Sequence, residues 1–439
     1  MIQPLKVKEK IRHYLAYFKG NILIERFSKV FSVDVIVRGT NFLLIPLFLH
    51  LMTKEEVGIY DYLYSFAFTL APTFSLGLYV GLVKMYNLYD NKNERGQLLF
   101  SINVTLISFL FIVFGVIYGF GIDYRIFDFL IEQPIDYQSY RFFILLAIIV
   151  LIYNVLLTMF FVTSEKISKI QRYNIGRCLL VNIIVFSALI FMKGDKIKIR
   201  LIATYVSEFV VLVYFFRYYW REMTFVFNKS MMKRCLKISL PIMMTSISYV
   251  FINFADKYFV QKFCGIEYFT DYNKAIQFAL ILPVIFNSFQ NIWMPIMMKE
   301  TDLHVLKRRT NRVAKIILLV FCAISVLIFL AIFVALLIGI IPKNYYNILK
   351  FFPLVASAQI LSVLGLLYQY YTAYFEKTYF NFIISILVGM IGLGLNYFAV
   401  QYFGVYGVAV VMIMINLAML CLYYWFSVYN INKQLRMNK

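Results

Sequence analysis

Residues 248–299 read SYVFINFADKYFVQKFCGIEYFTDYNKAIQFALILPVIFNSFQNIWMPIMMK. Two apolar runs flank a short polar stretch, a pattern that predicts a membrane helix, an outside turn and a second membrane helix. Asp256, Lys257, Asp271 and Lys274 sit in or at the ends of those runs. A charge at the bilayer centre costs about 2.5–3.5 kcal/mol on insertion scales. Such groups are therefore expected to face a cavity or one another. The hairpin reads as one half of a translocation site, with the rest of the chain as its frame.

The composition is that of a chain whose solvent is lipid. It is 62% hydrophobic and 19% aromatic, with only 15% charged residues and a mean hydropathy of +0.76, against roughly 45–50% apolar usage in soluble domains. The net charge of +21 could mark a nucleic-acid binder. The basic residues lie in short loops between apolar runs, however, so membrane topology accounts for them and no nucleic-acid partner is expected. Cys178, Cys235, Cys264, Cys322 and Cys421 are scattered, odd in number and without a CxxC pair, which favours packing over a disulfide frame or metal site. No cleavable signal peptide is expected from the charged, interrupted start of the chain.

Twelve spans of bilayer length follow, which makes the expected fold all-α: a polytopic integral membrane protein of about twelve transmembrane helices in two six-helix, pseudo-symmetric lobes. Residues 1–30, in which Ile11, Leu15, Phe18, Ile22 and Leu23 recur at helical spacing among basic residues, predict a cytoplasmic amphipathic arm. Residues 31–220 form the first lobe, 221–237 a cytoplasmic linker, 238–428 the second lobe and 429–439 a cytoplasmic tail. With both termini inside, thirty of the 43 Lys and Arg fall on the cytoplasmic side, the bias that orients membrane proteins. The cluster Lys193–Arg200 is the one loop that opposes it. A repeat supports the two lobes: Glu55–Tyr60 after the first span corresponds to Glu267–Tyr272 after the seventh at an offset of 212, and Glu165-Lys166 corresponds to Glu376-Lys377 at 211. Parallel six-span halves of this kind are related by an axis along the membrane normal, with the site between them near the midplane.

The stretch Arg38-Gly39-Thr40, Pro46-Leu47 and Leu51-Met52-Thr53-Lys54-Glu55-Glu56-Val57-Gly58-Ile59-Tyr60 resembles the opening of Wzx-type oligosaccharide flippases, within the multidrug/oligosaccharidyl-lipid/polysaccharide (MOP) exporter superfamily. Ala255-Asp256-Lys257-Tyr258-Phe259, Tyr272-Asn273-Lys274 and Trp293-Met294-Pro295 resemble its seventh and eighth helices. Thr270 departs from the family, which usually has Gly there. The resemblance implies a multi-pass protein of the bacterial cytoplasmic (inner) membrane. It would move a polyprenyl-pyrophosphate-linked oligosaccharide repeat unit to the outer leaflet for O antigen, capsule or another surface polymer, and a polysaccharide polymerase is an expected partner beside the membrane lipids.

A pyrophosphate and its sugars cannot cross hydrocarbon bare, so cations are required along the path. Arg38, with a forked guanidinium suited to phosphate, and Lys257 and Lys274 from the other lobe are the candidate headgroup contacts. Asp34, Asp61, Glu208, Asp256 and Asp271 are candidate carboxylates for coupling to Na⁺ or H⁺; no cofactor is expected. Each has a structural alternative: Asp34 and Arg38 neutralise each other at i,i+4, Lys257 snorkels to the interface, Lys274 pairs with Asp271, and Asp61 and Glu208 are hydrogen-bonded structural groups. His13, His50 and His304 are isolated, and no P-loop or nucleophile elbow appears, so an enzyme is not expected. The rivals are a cation-coupled drug or metabolite antiporter of the same superfamily, a peptidoglycan-precursor flippase, and a membrane polymerase or glycosyltransferase. The last would need a large catalytic loop, whereas the longest outer loop expected here spans only residues 121–141.

Overall fold

A computed structural model describes residues 37, 39–130 and 137–437, which form helices joined by short turns, with no strand among them. The expected arm at residues 1–30, Asp34 and Arg38 lie outside the described residues. The first lobe contains α1 (Gly39–Leu51), α2 (Lys54–Phe74), α3 (Leu78–Tyr86), α4 (Lys92–Gly119), the short α5 (Ile122–Leu130), α6 (Tyr137–Thr163), α7 (Ile167–Phe191) and α8 (Lys196–Trp220). The second contains α9 (Lys229–Asn253), α10 (Ala255–Cys264), α11 (Ile266–Ala279), α12 (Ile281–Lys299), α13 (Leu303–Leu337), α14 (Ile348–Tyr374) and α15 (Tyr379–Met437).

Seven helices among the described residues are long and apolar enough to cross a bilayer, and eight when α2 and α3 count as one bent span. The 59-residue α15 is two spans that meet at Gly404, whose φ of 57° and ψ of −142° break the helix. With α1 and the broken pairs α9/α10 and α11/α12, the architecture contains the expected twelve. Large apolar side chains such as Phe111, Leu319 and Phe403 point outward, as a lipid-facing surface requires.

Local chemistry sets the breaks. The motif Thr53-Lys54-Glu55-Glu56 is a capping box: the Glu56 amide donates to Thr53 Oγ1 at 3.2 Å and the Thr53 amide to Glu56 Oε2 at 2.7 Å, which starts α2 abruptly. At its far end Pro72 and the left-handed pair Leu76 (φ 52°) and Gly77 (φ 64°) bend α2 from α3 by 46°. The bend lets Gly77 and Gly81 pack against α9, where an added Cβ would overlap Ser239. Gly115 and Gly119, at the same four-residue spacing, have open space around them instead. The repeat is visible in the backbone. Glu165 and Glu376 both adopt a positive φ, 54° and 56°, and Lys166 and Lys377 donate amides back to Phe161 and Thr372, closing matching helix ends. Two expectations are corrected. The turn of the central hairpin is Gly265 alone, so Asp271 lies inside α11 rather than at its mouth, and residues 122–130 form a helix rather than loop.

One membrane face carries the Lys54 turn and the short 3₁₀ turn Lys343–Tyr345; the opposite face carries the strongly basic loops. Buried apolar side chains form two clusters. The larger runs through the first lobe and crosses to α10, α11 and the start of α14 at the Lys54 face. The smaller, including Phe286, Trp293, Phe321, Leu367 and Tyr423, is confined to the second lobe toward the basic face. The lobes are thus joined at one face by α2 and α11. At the other, α12 packs on α13 and α14 of its own lobe, and α9 is the strut that stays against α2, α3 and α4.

Candidate functional site

The two helix starts, α2 and α11, cross at the seam. Their first residues, Lys54 and Ile266, are separated by the 212-residue repeat. Gly58 and Thr270, another equivalent pair, touch here: a Cβ on Gly58 would overlap Thr270 Oγ1 and lie 2.9 Å from Ile266 Cγ1. Thr270 donates to the carbonyls of Ile266 at 2.7 Å and Lys54 at 3.1 Å. The family departure at Thr270 therefore sits in the lobe contact itself, and Gly58 supplies the room for it.

One and two turns along, the charges meet. Lys274 Nζ lies 2.7 Å from Asp61 Oδ2, with the two side chains 3% and 4% exposed. The same oxygen accepts from Asn273 Nδ2 at 3.0 Å and Gln277 Nε2 at 3.1 Å, and Lys274 also donates to Gln277 Oε1 at 3.0 Å. Asp61 and Asn273 are themselves repeat partners. Toward the Lys54 face, Lys54 Nζ donates to Asp271 Oδ2 at 2.7 Å and to the Asn344 carbonyl at 3.1 Å. Lys274 thus pairs across the seam with Asp61, and not with Asp271 three residues before it. Lys257, half-buried in α10, reaches Ser65 Oγ of α2 at 3.4 Å, so it points into the seam rather than out to the interface. Beside it, Asp256 accepts from Tyr272 at 2.9 Å, and its other oxygen has no hydrogen-bond partner. His50 at the end of α1 completes the closure, 3.0 Å from the Ile340 carbonyl.

Glu208 is not part of this layer. It sits inside the first lobe, where Arg177 donates to Oε1 from Nε and Nη2 at 3.0 and 2.8 Å and Asn154 donates to Oε2 at 3.0 Å; Tyr173 in turn donates to Asn154. A carboxylate this fully bonded is a structural tie. Of the eight candidate residues, the structure brings Asp61, Lys257, Lys274, Asp256 and Asp271 to the seam, sets Glu208 apart, and does not describe Asp34 and Arg38. The sequence reading missed Lys54, Arg177 and Arg200. Lys54 carried a signal, its place in the capping turn. Arg200 appeared as one cation of a loop; it is in fact one turn inside α8 and 7% exposed.

Two six-span lobes closed on each other at one face by buried ion pairs define a multi-pass membrane protein. A family profile, polysaccharide biosynthesis protein, matches residues 25–300. The chain belongs to that family. Among solved structures, the fold is shared with an inward-facing multidrug resistance MATE family transporter of the MOP superfamily (12% identity, 94% of this chain and 96% of that chain, TM-score 0.70). An outward-facing structure of such a transporter aligns at 14% identity over 94% and 96%, TM-score 0.61. A MOP superfamily transporter from Pyrococcus furiosus, described as having a binding pocket of reverse polarity, aligns at 13% over 93% and 95%, TM-score 0.61. No curated protein is significantly similar in sequence.

Proposed function

We propose that this chain is a flippase that carries a polyprenyl-pyrophosphate-linked oligosaccharide repeat unit from the cytoplasmic to the outer leaflet by alternating access. The observation that carries the reading is the seam of opposite charges between α2 and α11 in a chain of the polysaccharide biosynthesis family. The bias of basic loops puts the Lys54 face outside and both termini inside. The seam is then an outer gate, and the lobes part toward the cytoplasm. The higher TM-score to the inward-facing neighbour is consistent with that.

In this mechanism the headgroup enters between the lobes while its polyprenyl tail stays in the bilayer. Arg38, Lys257 and Lys274 contact the phosphates. Lys274 is held by Asp61 until the headgroup's negative charge competes for it, which links loading to release of the gate. Coupling to Na⁺ or H⁺ would act on Asp61 or Asp271, whose neutralisation frees the lysines they hold, or on Asp256 beside Lys257; Glu208 lies apart from the gate inside the first lobe, and Asp34 is outside the described residues. A surface-polysaccharide polymerase is the partner that would consume the product.

The test uses a host deleted for this chain. Restoring the wild-type gene should restore surface polymer, and its absence should leave lipid-linked repeat units accumulated at the cytoplasmic leaflet. Unchanged polymer with altered sensitivity to cationic drugs would replace this reading by that of a drug exporter, in line with the multidrug resistance named for two of the structural neighbours.

A further inference from the structure

Arg200 is a buried cation that differs from the others. Lys274 has Asp61, Lys54 has Asp271, Arg177 has Glu208 and Lys257 follows Asp256 in sequence. Arg200 has no carboxylate within ion-pair distance among the described residues. Its guanidinium is clasped face-on between Phe48 of α1 and Tyr60 of α2, with ring centroids 3.9 and 3.7 Å away, contacts that hold a guanidinium plane and leave its edges free. Nη1 rests on the Met52 sulfur at 3.5 Å, a weak acceptor, and Nε is buried with no hydrogen-bond partner. The residue lies close enough to Lys274, Tyr60 and Tyr345 for its charge to act on them. The Tyr345 hydroxyl, on the second lobe's 3₁₀ turn, is likewise buried without a partner. Two unmet donors and a surplus positive charge thus converge beside the seam, where a buried donor left unbonded is costly.

We propose that Arg200, assisted by Tyr345, is an oxyanion site for the pyrophosphate of the carried lipid at the Lys54 end of the path. The assignment rests on the flippase reading and extends it. The aromatic clasp fixes the plane of the fork, so that Nε and Nη2 present the paired donors that suit a phosphoryl oxygen pair. All of the residues that clasp Arg200 belong to the first lobe, so the guanidinium stays in place when the second lobe's α11 and Tyr345 turn move away, and only the Tyr345 hydroxyl is withdrawn. The headgroup therefore keeps one cation in the first lobe as the gate opens.

The experiment measures binding in nanodiscs of polyprenyl pyrophosphate, of polyprenol (the same tail without phosphate) and of inorganic pyrophosphate. Wild-type protein is compared with Arg200→Gln, Arg200→Lys, Tyr345→Phe and, as a control on a neighbouring exposed cation, Lys193→Gln. Loss of a charge-assisted bond is expected to weaken polyprenyl pyrophosphate at least about tenfold in Arg200→Gln. Arg200→Lys should recover part of that loss, and polyprenol binding and Lys193→Gln should be unchanged. Wild-type affinity in a folded Arg200→Gln protein overturns the site and leaves the flippase reading standing. Wild-type protein that prefers polyprenyl pyrophosphate no more than polyprenol overturns both. Inorganic pyrophosphate bound as tightly as the lipid would assign the site to a free anion and overturn the lipid assignment. Should Arg200→Gln fail to fold, Tyr345→Phe decides: a several-fold loss specific to the pyrophosphate lipid supports the site, and no change overturns it.

Discussion

Consider Asp61→Asn, a change of charge at nearly constant shape. In the closed seam, Asp61 Oδ2 accepts three donors, from Lys274, Asn273 and Gln277. The substitution leaves Lys274, only 3% exposed on its side chain, without a counter-charge. Removing one partner of a buried pair costs about 3–5 kcal/mol. The amide oxygen introduced at position 61 and that of Gln277 can still accept from the ammonium, which moves the expected cost toward the lower end, about 3 kcal/mol. When the lobes part at this face, Lys274 meets water, so the penalty falls on the closed state alone. A shift of this size changes the closed-to-open ratio by roughly two orders of magnitude. Spin labels at Glu55→Cys and Tyr346→Cys, both exposed and in opposite lobes, in a background with the five native cysteines replaced, would report it as a longer distance population. An unchanged distance distribution in folded Asp61→Asn protein would refute the idea that this pair holds the lobes together. The partner substitution Lys274→Gln in the same chain should return much of the closed population, because the lysine charge left unpaired by Asp61→Asn is then removed.

Gly58→Ala should also open the seam, since its Cβ would overlap Thr270 Oγ1; Thr270→Gly should partly restore closure in the same distance measurement, the Ile266 carbonyl at 3.0 Å remaining in the way. Glu208→Gln should behave differently. It should lower the melting temperature of the purified protein by an amount corresponding to about 1–3 kcal/mol, because it weakens a forked pair that is partly exposed on the Arg177 side, while leaving the inter-lobe distance unaltered.

The twelve spans were legible because a bilayer enforces about twenty apolar residues per crossing, and the two-lobe plan because repeated turn chemistry survives in sequence. The matching left-handed Glu165 and Glu376 are the same repeat seen in dihedral angles. What spacing cannot convey is which charges meet. Asp271 and Lys274 are three residues apart on one helix, a natural local pair, yet each finds its partner more than 200 residues away because α2 crosses α11 there. Arg200 was hidden for a different reason. The Asp195 cap, accepting from the amides of Ile197 and Lys198, starts α8 before hydropathy rises, so a buried arginine was counted with the exposed Lys193 as part of one loop.

The two halves of the repeat also differ at the seam. Across the pseudo-twofold axis Gly58 faces Thr270, and Asp61 faces Asn273, an acid opposite its amide. A symmetric pair of acids would put two buried carboxylates beside one Lys274, and a symmetric pair of amides would leave that lysine unpaired; the mixed pair balances it. This asymmetry yields a sharper prediction than any single substitution. The exchange Asp61→Asn with Asn273→Asp keeps the local charge and moves the carboxylate to the other side of the 3.0 Å hydrogen bond, still beside Lys274. If net charge in the seam governs closure, the exchanged protein should recover most of the closed population lost in Asp61→Asn alone, read by the same label pair. If it is no more closed than Asp61→Asn, the particular geometry at Asp61 Oδ2 holds the lobes and charge balance does not.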